Sequence, residues 1–210
     1  MKVLITGICG FVGSELARGL IDNGAKPQEI IGIDNLSRRG AWINRESLAA
    51  MGVTIVHGDI RNASDLEGIE SVDCVVDAAA NASVMAGVDG KSTSRQLVEN
   101  NLHGTLNLLE FCKQHGASFI LLSTSRAYSI DPLAALDVEV RETAFTPALT
   151  SALNGLSPKG ITEEFSTAAP VSLYGASKLS SEQLAMEYGK AFGFPVWINR
   201  CSVMAGAGQF

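Results

Sequence analysis

Residues 2–21 read Lys2-Val-Leu-Ile-Thr-Gly-Ile-Cys-Gly-Phe-Val-Gly-Ser-Glu-Leu-Ala-Arg-Gly-Leu-Ile21, and they carry the strongest indication of the fold. Its beginning is a short apolar run typical of a buried strand, and its end has helical spacing. Between them, glycines follow the pattern G-x-x-G-x-x-G. A strand, a glycine loop and a helix in this order are the context of a dinucleotide fingerprint, in which the backbone approaches a pyrophosphate at the helix N-terminus. The sequence therefore predicts a dinucleotide held by Gly7, Cys9, Gly10, Phe11, Val12 and Gly13.

A second strand pattern, residues 30–33, ends in Asp34, about twenty residues beyond the last glycine. A carboxylate at this position accepts hydrogen bonds from the adenosine ribose and repels a 2′-phosphate, which favours NAD over NADP. The alternative is an ordinary turn residue at a strand end. The polar loop that follows contributes the further candidates Asn35, Ser37, Arg38 and Arg39. Its two arginines either touch the adenosine or are solvated surface charges.

Four more strand patterns, residues 52–57, 72–77, 119–124 and 196–200, alternate with helical ones. This alternation predicts an α/β fold: a Rossmann-type, doubly wound parallel sheet with right-handed connections in three α/β/α layers. Hydrophobic residues make up 46% of the chain and charged ones 18%, which suits a sheet buried on both faces. A chain of 210 residues is long enough for one domain, residues 1–210, with a sizeable core.

Polar and small residues follow the third and fourth strand patterns. Asp59 and Ile60 come after the third. There, Asp59 either accepts a hydrogen bond from the adenine amino group or caps the short helix that follows. The small residues after the fourth strand allow the backbone to approach the diphosphate and ribose of a cofactor; they are Ala78, Ala79 and Ala80.

Tyr174 and Lys178 stand four residues apart at the start of a helical run, so their side chains share one helix face. An ammonium near a phenol stabilises the phenolate, and we expect Lys178 to lower the pKa of Tyr174 from about 10 toward neutral. Such a tyrosine exchanges protons with an alcohol or a carbonyl. The same spacing also occurs by chance, as a packed ring beside a solvated amine. Ser123 and Thr124 end the strand 119–124, where open α/β sheets bind ligands, so Thr124 is predicted to hydrogen-bond the reacting oxygen.

Residues 129–170 contain four of the six prolines and no sustained periodicity. They predict a long irregular insertion between Thr124 and Tyr174, and loops of this length are usually functional or mobile. The helical segments 94–114 and 174–192 carry more apolar positions than one buried stripe needs. If the protein forms a homodimer, we expect these two helices to pair across a two-fold axis.

Charge and cysteine content exclude several classes of protein. The net charge is −6 without a basic block, which argues against nucleic acid or an anionic membrane as a partner. No apolar stretch is long enough to span a bilayer, and the first strand occupies the position of a signal peptide. The four cysteines are too far apart for a zinc site or a disulfide framework. We therefore expect a cytoplasmic protein without a bound metal.

Together these residues resemble the extended short-chain dehydrogenase/reductase family, the group of nucleotide-sugar epimerases and dehydratases. The resemblance covers nearly the whole chain. Its specific marks are Gly7-x-x-Gly10-x-x-Gly13, Asp34, Gly58-Asp-Ile60, Asn101-Leu-His-Gly-Thr105, Ser123-Thr124 and Tyr174-x-x-x-Lys178.

The resemblance implies an NAD-dependent enzyme that oxidises a hydroxyl of a nucleotide sugar to a ketone and returns the hydride to the other face. It implies Thr124, Tyr174 and Lys178 as the catalytic residues. It also implies that Asn101 holds the chain around the cofactor, and that Cys201, Ser202 and Val203 lie near the nicotinamide. A reductase that releases its reduced sugar and a regulatory NAD-binding module are the alternatives.

Two departures from the family pattern matter. Ser125 and Arg126 follow Thr124 where the 4,6-dehydratases of the family carry an Asp-Glu pair, which argues against that chemistry. Members of the family also continue well beyond the length of this sequence, into a lobe that carries much of the nucleotide-sugar pocket. We therefore expect this chain to be the cofactor half, which binds NAD but does not turn over a sugar by itself.

Overall fold

A computed structural model describes residues 1–148 and 153–209. Helices and strands alternate through most of the chain. In chain order they are β1 (Val3–Thr6), α1 (Phe11–Asp22), β2 (Ile30–Asp34), α2 (Ala41–Ala50), β3 (Thr54–His57), α3 (Ser64–Glu67), β4 (Cys74–Asp77), α4 (Ser94–Val98), α5 (Gly104–His115), β5 (Ser118–Thr124), α6 (Ile130–Ala134), β6 (Val138–Arg141), β7 (Ala144–Pro147), β8 (Leu156–Ser157), β9 (Gly160–Ile161), α7 (Ser172–Phe192) and β10 (Val196–Cys201).

The central sheet has six strands in the order β10-β5-β4-β1-β2-β3, and every pair is parallel. The chain runs outward from β1 to β3, then crosses back to β4 and continues to β10. The order therefore reverses between β1 and β4, and a crevice at such a switch point is where open α/β sheets bind ligands. The predicted Rossmann-type sheet is confirmed.

Alternation along the strands separates two hydrophobic cores. In β1, Val3 and Ile5 point to a core beneath α1 and α2, whereas Leu4 points to a core beneath α5 and α7. Successive strand side chains face opposite sides of a sheet, so both faces are covered, as in other all-parallel sheets. The β5 residues Phe119 and Leu121 are fully buried in the second core.

The helix predicted over residues 94–114 is interrupted. After α4, residues Glu99–His103 form a π-helical turn, and α5 then runs from Gly104 to His115. A π-turn inserts one extra residue into a helix and is often found at functional sites. It turns the buried side chain of Asn101 toward α7, a distortion that hydrophobic periodicity does not reveal.

The prediction that residues 129–170 are irregular is wrong for much of the segment. It contains α6 and two antiparallel hairpins, β6–β7 and β8–β9. The strands of these hairpins are too short to give a recognisable alternation, and local turns set their pairing. Ser129 N–H donates to the Ser166 carbonyl at 2.8 Å and Ile130 N–H to the Pro170 carbonyl at 2.9 Å, so the segment closes on itself. Residues 149–152 lie outside the described part of the chain.

Among the described residues, no helix is long and apolar enough to cross a membrane. The same residues hold no group of three or more His, Cys, Asp or Glu side chains placed to bind a metal ion. All four cysteines are free thiols.

Phe119→Ala should lower the free energy of unfolding by about 3–5 kcal/mol, because it removes a fully buried ring and leaves a cavity. Phe145→Ala is the matched control. That ring lies on the β6–β7 hairpin and is 77% exposed, so its removal should change the same quantity by less than about 0.5 kcal/mol. Denaturant unfolding measures both values. Equal losses would contradict the assignment of β5 to the core.

Candidate functional site

A cleft of about 720 Å³ opens at the carboxyl ends of the central strands. Its volume is within the usual range for a cofactor or ligand pocket. Nearly all the predicted site residues line it, the exceptions being Asn101 and Lys178, which are buried behind it. The predicted residues on its wall are Gly7, Cys9, Gly10, Phe11, Val12, Gly13, Asp34, Asn35, Ser37, Arg38, Asp59, Ile60, Ala78, Ala79, Ala80, Ser123, Thr124, Tyr174, Cys201, Ser202 and Val203.

The glycine loop between β1 and α1 has no room for side chains at two positions. Gly7 has a φ of +61°, and a Cβ there would lie 2.9 Å from the Ala79 Cα. A Cβ on Gly13 would lie 2.7 Å from the Ile8 Cα and would also overlap the Gly7 carbonyl. The backbone can therefore form the floor of the cleft directly. Exposed backbone at the N-terminus of a helix can bind a pyrophosphate through its N–H groups. This part of the site therefore fits a dinucleotide.

Asp34 at the end of β2 braces this loop. Its Oδ2 accepts a hydrogen bond from the Cys9 N–H at 2.9 Å, and its Oδ1 accepts one from the Leu36 N–H at 2.8 Å. Asp34 is thus more than an ordinary turn residue, because it joins the glycine loop to the exit of β2. The sequence does not reveal this bracing role. Burial and the nearby Asp34 carboxylate also raise the pKa of the Cys9 thiol to about 12, so this cysteine stays neutral.

Asp59 lies beyond the end of β3 with its carboxylate held from two sides. Arg61 donates to it through Nη2 at 2.6 Å and Nε at 2.9 Å, and Asn35 Nδ2 donates at 2.9 Å. The hydrogen bonds from Arg61, followed by the one from Asn35, hold the pKa of Asp59 well below its usual range. The alternative role as a helix cap is wrong, since α3 begins at Ser64 and its capping position is Ala63.

The other end of the cleft brings together three elements. Thr124 ends β5, Cys201 is its register partner at the end of β10, and Tyr174 lies in the first turn of α7. Gly175 makes this approach possible, because a Cβ there would overlap the carbonyl oxygen of Arg126. The Arg126 N–H donates to Thr124 Oγ1 at 3.1 Å. The first turn of α7 therefore packs closely against the chain that follows β5, through Gly175 and the Arg126 carbonyl.

The expected lowering of the Tyr174 pKa by Lys178 is wrong for this structure. Burial of the ring raises the pKa of Tyr174, hydrogen bonding from Thr124 lowers it, Cys201 raises it and the Arg126 guanidinium lowers it. The sequence spacing placed Lys178 on the correct helix face. However, the groups with the largest effects on the tyrosine come from β5, β10 and the turn after β5, which spacing along α7 cannot show.

Lys178 is only 1% exposed. Its ammonium makes no hydrogen bond to any described residue. In that part of the chain, every side-chain N or O atom that is fully buried has a hydrogen-bond partner. The tip of the ammonium must therefore keep a small area open to solvent. Burial lowers the pKa of Lys178, and the carboxylates of Asp77 and Glu182 act in the opposite direction. This lysine is a buried donor with spare hydrogen-bonding capacity.

Asn101 in the π-helical turn ties the chain after β4 to α7. Its Oδ1 accepts from the Asn81 N–H at 2.8 Å, and its Nδ2 donates to the Asn81 carbonyl at 3.2 Å and to Ser177 Oγ at 3.1 Å. Asn81 lines the cleft. Asn101 therefore shapes the wall without being part of it.

Several residues that line the cleft were not predicted from the sequence. Asn44 on α2 donates through Nδ2 to the Cys9 carbonyl at 3.0 Å and so supports the glycine loop from outside. Asn81 and Ser83 continue the wall beyond the alanines, and Arg126 contributes a cation beside Thr124. Arg38 Nη2 also approaches the Ala80 carbonyl, at 3.4 Å. The position of Asn81 and Ser83 after a strand end was an available signal, whereas nothing in the sequence singled out Asn44.

Comparison with known proteins agrees with this geometry. The model of the NAD dependent epimerase/dehydratase family matches residues 3–210. CDP-paratose 2-epimerase of Salmonella typhi is 33% identical over 218 residues, covering 100% of this chain and 59% of that protein. The structure of a dTDP-glucose 4,6-dehydratase from Streptomyces venezuelae with NAD bound superimposes with a TM-score of 0.77 at 29% identity, covering 100% of this chain and 58% of the other.

A mutant UDP-glucuronic acid 4-epimerase from Bacillus cereus, in complex with UDP-4-deoxy-4-fluoro-glucuronic acid and NAD, superimposes with a TM-score of 0.71 at 29% identity, covering 95% of this chain and 56% of that one. The chain belongs to the NAD dependent epimerase/dehydratase family, which confirms the resemblance and NAD as the cofactor of its class. It spans a little over half the length of the curated relatives that it matches.

We predict that the protein binds NAD at least about tenfold more tightly than NADP, because a 2′-phosphate would meet the carboxylate of Asp34. Calorimetric titration with both dinucleotides measures the preference. Asp34→Asn should reduce the preference for NAD over NADP. Asp22→Asn, at the exposed end of α1, should leave that preference unchanged. Equal or tighter binding of NADP would contradict this assignment and would make Arg38 and Arg39 the phosphate ligands.

Proposed function

We propose that the protein is an NAD-dependent epimerase of a nucleotide sugar, similar in activity to CDP-paratose 2-epimerase. The observation that carries the proposal is the placement of Thr124 and Tyr174 in the same cleft as the glycine loop, at a switch point of the sheet. The glycine loop, Asp34 and residues 78–80 would hold NAD. When bound, NAD takes a hydride from a sugar carbon and returns it to the opposite face.

The chain's own residues would move the proton. Tyr174 would take the proton of the sugar hydroxyl during oxidation and return it during reduction. Thr124, whose hydrogen bonding lowers the pKa of Tyr174, would hydrogen-bond the reacting oxygen. The ammonium of Lys178 would bind the nicotinamide ribose, and the Arg126 guanidinium acts to lower the pKa of Tyr174. Cys201, Ser202 and Val203 would border the nicotinamide.

Epimerisation is favoured over 4,6-dehydration by the charges of the cleft. A dehydratase needs a further acid and base for the elimination of water. Asp34 and Asp59 are the only carboxylic acids among the described residues that line the cleft, and they lie at the end of β2 and beyond β3, toward the far edge of the sheet. Near Thr124, the wall carries Ser125 and Arg126 instead.

A reductase or dehydrogenase that releases its product is the second candidate, and it would use the same residues. Purification of the intact protein separates the two, since an epimerase retains NAD that is not consumed during turnover. A regulatory NAD-binding module is the third candidate. A module without catalytic activity would not need the side chains of Thr124, Tyr174 and Lys178. This chain nevertheless carries all three close together.

We propose a cytoplasmic location and a nucleotide-sugar partner as well. The free thiols support a reducing compartment. Since relatives are longer, we also propose that the 210-residue chain is the cofactor domain, which binds NAD, and that sugar turnover needs a further lobe.

Tyr174→Phe in the intact protein should lower kcat by about 10²–10⁴-fold and leave NAD binding nearly unchanged, because the ring still packs and only proton transfer is lost. Tyr188→Phe is the matched control on the same helix. Its hydroxyl bonds the exposed Glu110 at 2.7 Å, far from the cleft. Turnover of nucleotide sugars and calorimetry with NAD test this prediction. Comparable activity in the two variants would remove Tyr174 from the mechanism.

We also propose a homodimer through the surfaces of residues 94–114 and 174–192. The helices of these segments pack side by side over the second core. They expose apolar side chains that the monomer does not cover, namely Val98, Leu173, Met186 and Phe192.

Met186→Glu should convert such a dimer to monomers, because it puts a charge on a side chain that is 54% exposed in the single chain and would be buried between subunits. Trp42→Glu, on α2 at the opposite side of the sheet, is the control and should leave the assembly unchanged. Sedimentation velocity distinguishes the two states. An unaltered sedimentation coefficient for Met186→Glu would place the interface elsewhere.

A further inference from the structure

An ion pair with a buried carboxylate and a partly buried guanidinium lies behind the reaction centre. The Glu182 carboxylate on α7, 3% exposed, accepts hydrogen bonds from Arg200 on β10. Arg200 Nη2 donates to Oε2 at 2.7 Å, and Nε donates to Oε2 at 3.1 Å and to Oε1 at 3.2 Å. A forked contact of this kind fixes orientation as well as distance. None of the roles proposed above uses either residue.

The same carboxylate also binds β5. Ser123 Oγ donates a short hydrogen bond to Glu182 Oε1. Ser123 is the residue before Thr124, and Arg200 is the residue before Cys201. The Glu182 side chain therefore joins β5, α7 and β10, the three elements that carry Thr124, Lys178 and Cys201. Its contacts on the two strands are one residue from Thr124 and from Cys201, and Glu182 itself is about one helical turn from Lys178.

Arg200 extends these contacts to the inserted segment. Its guanidinium lies over the Tyr128 ring, 5.2 Å from the centroid, and Nη1 donates to the Glu163 carbonyl at 3.3 Å. Tyr128 in turn meets Phe165 edge-on, with centroids 6.0 Å apart. The segment between β5 and α7 is thus held against the ion pair.

Glu182 also bears on the charge of Lys178. The two residues are four apart on α7, so they share a helix face. The ionisable groups that act on Lys178 are Asp77 from β4, Glu182 from α7 and Cys201 from β10. Burial lowers the pKa of this lysine, and the two carboxylates oppose that effect. Asp77 has the larger effect of the two and accepts hydrogen bonds from Thr6 and Thr105, whereas Glu182 is held by the Arg200 guanidinium and by Ser123.

We propose that Glu182 is a positioning residue of the reaction centre: held by Arg200, it fixes β5 against α7 and places its carboxylate on the helix face of Lys178. The inference rests on the roles proposed above for Thr124 and Lys178. The simpler possibility is an ion pair that serves stability alone, as many buried pairs do. The two possibilities make different predictions for Lys178. If the ion pair serves stability alone, removing the Glu182 carboxylate should not change the pH at which Lys178 loses its proton.

The test compares Glu182→Gln with Glu46→Gln, an identical change at an exposed position of α2. Competitive acetylation across a pH series, followed by mass spectrometry of the peptide that contains Lys178, reports the titration of this amine directly. It needs neither NAD nor a sugar, so its result stands even if the proposed epimerase reaction is wrong. The pH profile of kcat in the intact protein provides the functional readout.

We expect Lys178 to lose its proton at lower pH in Glu182→Gln, because burial then acts against fewer opposing charges. The loss of activity at alkaline pH should begin at correspondingly lower pH. In addition, kcat should fall by about 10-fold or more, since a displacement of about 1 Å at a reaction centre costs as much as 10²-fold. The NAD dissociation constant should change less than kcat, because Asp34 and the glycine loop are remote from the pair. Glu46→Gln should reproduce the wild-type values.

The double variant Glu182→Gln/Arg200→Met guards against misfolding, because it removes both charges of the ion pair and leaves neither without its partner. It also lacks the carboxylate and should show the same shift in the titration of Lys178. Arg200→Met alone retains the carboxylate and should not shift that titration to lower pH. A folded Glu182→Gln or double variant with an unchanged Lys178 titration would overturn the proposal and leave the pair a structural one.

Discussion

Thr6, the last residue of β1, holds two neighbouring strand ends together through a single buried hydroxyl. It donates to Asp77 Oδ1 at 3.0 Å and accepts from the N–H groups of Ala78 and Ala79 at 3.0 and 2.9 Å. These bonds fix the exit of β4 beside the exit of β1. Only then can the glycine loop pack against Ala79 at a distance that excludes a side chain on Gly7. The floor of the cleft is therefore backbone, which is what a bound diphosphate requires.

Burial of charge explains much of the remaining architecture. Asp77, Lys178 and Glu182 are all nearly inaccessible to solvent, although an unpaired charge in a protein interior is costly. Each carboxylate is compensated: Asp77 by two threonine hydroxyls, and Glu182 by Arg200 and Ser123. Lys178 alone among these three charges has no hydrogen-bond partner in the described part of the chain. The surroundings thus retain a buried amine that is still able to donate hydrogen bonds.

The part of the cleft around Thr124 and Tyr174 shows where sequence reasoning succeeds and where it fails. Spacing placed Tyr174 and Lys178 on one helix face, and the strand-end rule placed Thr124 in the same cleft. The effect of Lys178 on the tyrosine pKa was predicted wrongly, because burial and groups from other elements dominate. The interruption of the helix at Glu99–His103 and the hairpins within residues 129–170 were also missed, since neither leaves a clear periodic pattern. The proposed roles of the site residues remain predictions.

The parallel sheet, the glycine loop, the acidic end of β2 and the family could all be predicted from the sequence, because each depends on local spacing and on the alternation of apolar runs. The packed fold was needed to show that Asp34 braces the loop through Cys9, that Asn44 supports it from α2, and that Glu182 joins Ser123 to Arg200. These contacts link residues 25, 35, 59 and 18 positions apart, respectively, in the chain. Their partners become neighbours only when strands and helices pack, so no local pattern in the sequence records them.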